Sequence, residues 1–327
     1  MPSFVEFETL VQIVPLTFEL SALILGLLFG SFLNVCISRL PDHRSINSPR
    51  SHCPNCKQTI RWYDNIPILS WILLRAHCRQ CKTPIPWRYP LVELAIGLWF
   101  LVLSVPIYRL CTSNWMTVDF GPPLGVWRAE QATTLIGLLI LGFLLIGLLV
   151  MDWQTYTLPD AFTLTGAAIG FFLVCAQAIF LGPGQDEIKL NPRHSLRMSS
   201  PGSFVAKGNV FLTGPEHLVF GRLAAIVGVA LLLLAIRAIY KAVRHRDGLG
   251  LGDVKLLAMI AAFLGFWPAI LALFVGVILT AAYGLTLMVR RQATATTRLP
   301  LGTFISIGGL VAALFGAPLI AWYSSLL

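Results

Sequence analysis

VKLLAMIAAFLGFWPAILALFVGVILTAAYGLTLMV, residues Val254–Val289, runs for 36 residues with no acidic side chain and one lysine at its start. About 20 largely apolar residues cross the hydrocarbon of a bilayer, so this run is too long for a single crossing. Gly265-Phe266-Trp267-Pro268 offers a break, because glycine weakens a helix and proline withholds an amide donor. Two short helices are therefore expected. Further apolar runs lie at Phe18–Ile37, Leu91–Tyr108, Ala132–Met151, Ala161–Leu181, Leu218–Tyr240 and Ser306–Tyr323. The fold class is all-α and polytopic, with about eight transmembrane helices. The first run lacks the basic start and small-residue cleavage site of a removable signal peptide.

Composition agrees with this. Of 327 residues, 56% are hydrophobic and 12% charged, with a mean hydropathy of +0.76. A soluble domain carries about 25% charged residues, so disorder, a coiled coil and a water-soluble globule are all excluded. The net charge of +9 does not by itself imply nucleic acid, since basic residues of a membrane protein gather in cytoplasmic loops, and no nucleic-acid partner is expected. The segment Ser38–Pro90 holds Arg39, Arg44, Arg50, Lys57, Arg61, Arg75, Arg79, Lys82 and Arg88 against Asp42 and Asp64. It is expected in the cytoplasm, with the amino terminus outside. Three regions follow: 1–37, an outer amino terminus and the first span; 38–90, a small cytoplasmic domain; and 91–327, seven further helices. Long outer loops are expected at 109–131 and 182–217. The second is rich in Pro, Gly and Ser, and is expected to be weakly ordered. There is no convincing internal repeat.

Cys53-Pro-Asn-Cys56 and Cys78-Arg-Gln-Cys81 are two C-x-x-C pairs separated by 21 residues. Each pair can turn two thiolates onto one ion, and two such knuckles complete a tetrahedral structural zinc site with no open position. The alternative, two disulfides, is disfavoured in a reducing cytoplasm. Lys57, Arg75, Arg79 and Lys82 stand close in sequence to offset the thiolate charge. His52 and His77 each precede a cysteine and could substitute as ligands. Some fifty residues with few apolar side chains need such a staple to fold.

Acids at membrane depth are costly and therefore functional candidates. Asp152 ends the third span in MDWQTYTLPD (Met151–Asp160), and Asp253 opens the sixth in DGLGLGDVKLL (Asp247–Leu257). The charge-derived topology puts both at cytoplasmic helix ends. Two carboxyls that share a site cannot both ionise comfortably, so one can serve as base and the other as acid in attack of water on a peptide bond. The glycines before Asp253 would let an extended peptide approach. The bland alternative for Asp253 and Asp160 is an N-terminal helix cap, with Lys255 as a local counter-charge for Asp253. A third alternative is a proton-coupled transporter that uses the same acids. Glu19 and Glu93 lie in or near spans, at the outer and inner interfaces.

Taken together, GSFLNVCISRLP (Gly30–Pro41), SHCPNC (Ser51–Cys56), IRWYDNIPILSW (Ile60–Trp71), RYPLVEL (Arg88–Leu94), the Asp152…Leu158-Pro159-Asp160 box, GLGLGDVKLLA (Gly248–Ala258) and LPLGTFISIGG (Leu299–Gly309) resemble the bacterial prepilin peptidases, the type IV leader peptidases of pilus assembly and type II secretion. Asp247 stands where many relatives have Glu. The resemblance implies a G-x-G-D membrane aspartic endopeptidase of the inner membrane, with Asp152 and Asp253 catalytic. Its substrates would be prepilins or pseudopilins, whose short basic leader is cut after Gly on the cytoplasmic side. It also implies, for many members, N-methylation of the new amino-terminal residue by S-adenosylmethionine, with the cytoplasmic segment implicated. No glycine-rich loop after a strand marks that second site. A peptidase without methyltransferase activity remains the alternative, and neither the oligomeric state nor the particular pilin is legible.

Overall fold

The structure, a computed structural model, describes residues 4–112, 124–181, 187–191, 194–197, 215–244, 250–292, 297 and 299–325. By internal packing the chain divides into two units, one of Met1–Thr112 with Gly142–Thr157, the other of Ser113–Leu141 with Leu158–Leu327. Helices make up about four-fifths of the described residues. Seven are long and apolar enough to cross a bilayer, with spans Pro15–Arg39, Arg88–Thr112, Gln131–Thr155, Asp160–Ile179, Leu218–Val243, Phe266–Val289 and Leu301–Tyr323. Their outward faces carry apolar side chains such as Ile24, Phe172, Ile179, Phe274 and Leu285, each more than half exposed. Such faces are what lipid, and not water, accommodates.

The first unit is built on α1 (Phe4–Arg39) and α3 (Arg88–Thr112), joined by the cysteine-bearing segment with its short α2 (Leu69–Leu73). The two long helices pack backbone to backbone. A Cβ on Gly26 would stand 2.8 Å from the Gly97 Cα, and one on Gly30 would stand 2.6 Å from the Glu93 Cα. Small residues of this kind let helices approach closely in lipid, where packing has to replace the hydrophobic effect. The last part of α4 (Leu124–Thr155) completes the unit. Gly142 on it makes room for the Trp99 indole, and Phe143 packs against Phe29 and Phe32 with ring centroids 6.4 and 6.5 Å apart.

The second unit surrounds α7 (Leu251–Leu264) with α5 (Asp160–Leu181), α6 (Pro215–Arg244), α8 (Phe266–Val289) and α9 (Leu301–Ser324). The break foreseen at Gly265 is there: this residue has φ 94° and separates α7 from α8. The two pieces differ in kind, however. The second, α8, has 24 residues and spans, whereas α7 has 14, about 21 Å at 1.5 Å per residue. Val254, Leu256, Leu257, Met259, Ile260, Ala261 and Ala262 of α7 are all buried. A helix apolar all round belongs inside a bundle and not at its lipid face. Helices α8 and α9 meet closely, where a Cβ on Gly308 would lie 2.2 Å from the Ala272 carbonyl oxygen.

Helix α3 continues to Thr112 and α4 begins at Leu124, so the first expected outer loop shrinks to residues 113–123, which lie outside the described residues. Within the second, β1 (Glu187–Asn191) pairs antiparallel with β2 (His194–Arg197), Ile188 opposite Leu196. This small hairpin departs from an all-helical chain. In β1, Glu-Ile-Lys-Leu-Asn, polar and apolar residues alternate, the period of a strand and not of a helix. Residues 182–186, 192–193 and 198–214, with their expected weak order, lie outside the described residues, as do Asp247 and Gly248, and α6 begins at Pro215. Gly308→Ala is expected to cost about 1–3 kcal/mol by forcing α8 from α9, and so to lower the melting temperature in detergent by several degrees. Gly221→Ala, where an added Cβ meets nothing within 4 Å, should leave it unchanged.

Candidate active-site aspartates and metal centre

The four cysteines converge. Their sulfurs all lie within 4.8 Å of one another, and Cys53 Sγ is 3.7 Å from Cys81 Sγ. A tetrahedral ion with bonds of about 2.3 Å sets its sulfurs roughly 3.8 Å apart, so this donor set fits a four-coordinate thiolate site. All seven cysteines are free thiols, which leaves the disulfide alternative without support.

The backbone that presents them repeats. In the first knuckle Cys53 N–H donates to Gln58 O and Lys57 N–H to Cys53 O; in the second, Cys78 N–H donates to Thr83 O and Lys82 N–H to Cys78 O. Lys57 and Lys82 have φ 58° and 57°, and short bridges pair His52 with Thr59 and His77 with Pro84. The octets HCPNCKQT and HCRQCKTP are therefore two copies of one turn, a local repeat of eight residues where no repeat was expected. The histidines serve the turns: each directs Nδ1 to a backbone carbonyl two residues earlier, that of Arg50 or Arg75. The Thr83 hydroxyl, 3.2 Å from Cys81 Sγ, together with the Thr83 backbone, holds the Cys81 thiol down at about 5. Arg79 forks onto Asp64 with contacts of 2.6 and 2.9 Å and keeps that carboxyl below its ordinary range. It is thus tied to an acid rather than left to offset thiolate charge.

The aspartates are placed as follows. Asp152, in the last turn of α4 and in the first unit, is buried, with 5% of its surface exposed. Asp253 is the third residue of α7, in the second unit, and one carboxylate oxygen accepts the Gly250 N–H at 3.2 Å. The N-cap is thus Gly250 and not Asp253 itself, which from the third helical position returns a carboxylate oxygen to the cap's N–H. Lys255, foreseen from spacing as a counter-charge for Asp253, also reaches further: its ammonium lies 2.6 Å from Asp160, the first residue of α5, whose side chain is 59% exposed. Residues two apart on a helix do not share a face, which lets the lysine reach the Leu158-Pro159-Asp160 turn. Gly252 belongs to the same junction. A Cβ there would sit 3.1 Å from a Leu158 methyl, so its missing side chain makes room for the protein's own leucine.

Glu19 is half-buried on α1. Glu93 is buried on α3 and accepts the Ile68 N–H at 2.8 Å, which ties α2 to α3. Asn34 was not singled out by its residue type, although it lies within the Gly30–Pro41 motif. It is buried, and its amide donates to Tyr89 O at 3.0 Å.

Comparison with known proteins gives two family models: the bacterial peptidase A24 N-terminal domain matches residues 24–107, and the type IV leader peptidase family matches residues 194–285. The first range contains the cysteine quartet. Asp253 falls in the second, and Asp152 in neither. The chain is 31% identical to a prepilin leader peptidase/N-methyltransferase of Stutzerimonas stutzeri over 94% of each chain. It is also 31% identical to a type 4 prepilin-like proteins leader peptide-processing enzyme of Escherichia coli, over 91% of this chain and 94% of that one. With a prepilin leader peptidase/N-methyltransferase of Pseudomonas aeruginosa the identity is 28% over 94% of each. No solved structure gives a significant match. A spanning bundle, a convergent cysteine quartet and similarity along nearly the whole length agree: the chain belongs to the type IV leader peptidase family, as a multi-pass membrane enzyme of the prepilin leader peptidase/N-methyltransferase class.

Proposed function

We propose that this enzyme removes the short basic leader of prepilins or pseudopilins after a glycine, with Asp152 and Asp253 as its catalytic pair. The observation that carries this is the retention of both acid motifs, Asp152…Leu158-Pro159-Asp160 and Gly250-Leu251-Gly252-Asp253, each at a helix end, in a chain similar to such peptidases over 94% of its length. Asp152 is buried at the end of α4, which holds its carboxyl away from bulk water. Asp253, at the amino-terminal end of α7, lies where the helix dipole favours a carboxylate. In this reading Asp253 takes the proton from water, Asp152 polarises the scissile carbonyl, and the acid then protonates the departing nitrogen.

The orientation proposed is that of the charge rule: amino terminus outside, residues 38–90 and both aspartates facing the cytoplasm of a bacterial inner membrane. A basic leader left in the cytoplasm would meet the enzyme there. The three-part organisation at 1–37, 38–90 and 91–327 belongs to the same proposal. The ion we assign to Cys53, Cys56, Cys78 and Cys81 is zinc, because four thiolates at tetrahedral spacing select it over hard cations. Zinc with four protein ligands would only fold the segment. S-adenosylmethionine would supply a methyl group to the amine freed by cleavage.

Asp152→Asn and Asp253→Asn should each lower leader cleavage by at least about 10²–10⁴-fold, the usual contribution of a positioned acid or base, while the protein still inserts. Full cleavage by both variants would sink the pair. Purified protein should carry one zinc per chain by elemental analysis, and a Cys53→Ser, Cys78→Ser double variant should carry none. Acidification should release the metal, since thiolates must shed protons to bind it. Incubation with a prepilin and S-adenosylmethionine, followed by mass spectrometry, should show loss of the leader and then gain of one methyl group.

A further inference from the structure

A cavity of about 560 Å³ opens in the first unit, lined by the end of α1, the cysteine-bearing segment and the start of α3. That is within the range of roughly 300–1,000 Å³ typical of small-molecule sites. Its lining has two chemical ends. The helices contribute buried acceptors: the Asn34 side-chain oxygen and the Glu93 carboxylate. The loops contribute cations, among them Arg44 and Lys57.

Asn34 carries the argument. Only 4% of the residue is exposed, its amide nitrogen is spent on Tyr89 O, and its buried oxygen has no hydrogen-bond partner. An unpaired buried acceptor costs about 1–3 kcal/mol, so its persistence beside a cavity points to a partner that arrives with a ligand. That partner has to be a donor. Glu93 accepts the Ile68 N–H and a bond from Ser31, yet a carboxylate has about four acceptor positions and retains capacity for another donor. Arg39, by contrast, is already spent on the carbonyls of Ser45, Ile46 and Pro49, so it shapes the loop wall and is not a free anion receptor.

We infer that this cavity is the substrate-binding site of the methyl transfer, and that Asn34 and Glu93 receive the N–H groups of a primary amine. The inference rests on the methyltransferase reading above and deepens it. Such an amine has two sources, an amino group of S-adenosylmethionine or the free α-amine of the cleaved pilin. The oxygens of Asn34 and Glu93 suit either: a charged amino group of S-adenosylmethionine would pair with the carboxylate, whereas a pilin amine must shed its proton before its lone pair can attack the methyl carbon.

The test uses the full-length enzyme in detergent and measures calorimetric binding of S-adenosylmethionine and, separately, of a peptide with the amino-terminal sequence of a mature pilin, free or N-acetylated. Asn34→Leu is expected to weaken one of the two amines at least about tenfold, the loss of one charge-assisted hydrogen bond, with leader cleavage retained. The ligand affected identifies the source, and acetylation should abolish peptide binding if the pilin amine is the one held. Unchanged affinity for both ligands overturns the inference. Should Asn34→Leu lose cleavage through misfolding, Glu93→Gln, which keeps an acceptor for Ile68, carries the test with the same two outcomes. Wild-type enzyme that cleaves but neither binds S-adenosylmethionine nor methylates refutes the underlying reading together with the inference. Wild-type enzyme that methylates normally, alongside variants that do so equally well, refutes the inference alone.

Discussion

Helices inside a bilayer gain nothing by hiding apolar surface from one another, because lipid is as apolar as leucine. What holds them is contact, and contact between backbones needs a side chain to be missing. At Gly30 the absence of a Cβ lets α1 lie against the Glu93 backbone. Because α1 and α3 are that close, Asn34 reaches Tyr89 O and Glu93 reaches the Ile68 N–H. The cysteine-bearing segment thus hangs from the two helices that flank it. Filling Gly30 would disturb the helix pair and the polar residues at its end together.

The second unit uses the same device for a different end. Gly308 admits the Ala272 backbone between α9 and α8, and Gly252 admits Leu158 beside the start of α7. The latter contact, with the Lys255–Asp160 ion pair, joins the Leu158-Pro159-Asp160 turn to the glycine-aspartate motif. Two stretches separated by some ninety residues become one junction. A helix of 14 residues at its centre, seven of them buried, carries Asp253 in its first turn.

The cysteine-bearing segment solves a separate problem. Many of its apolar side chains, among them Trp62, Ile72, Leu73 and Trp87, are exposed and none of α2 is buried, so hydrophobic burial contributes little to its fold. Two copies of one turn instead bring four thiols to metal-binding distance, and binding free energy at such a site is folding free energy. Asp64 and Arg79 add a forked ion pair beside it, with the carboxylate largely covered and the guanidinium half-exposed.

Much of this was legible in the residues alone. Apolar runs declare spanning helices because an unpaired backbone group has no partner in hydrocarbon, and C-x-x-C pairs declare a metal site because a tight turn is all that two thiolates need. The break at Gly265 could be read for the same reason: glycine and proline act locally. Length alone left α7 and α8 looking alike, and only packing made one an interior helix and the other a span. Lys255 was assigned by spacing to Asp253, yet it also serves Asp160, since a long side chain finds its partner across helices. Nor could residue type reveal the unpaired oxygen of Asn34 or the hold of Glu93 on Ile68. A side chain's hydrogen-bond partners are supplied by whatever the fold brings near, and no local pattern in the chain specifies that.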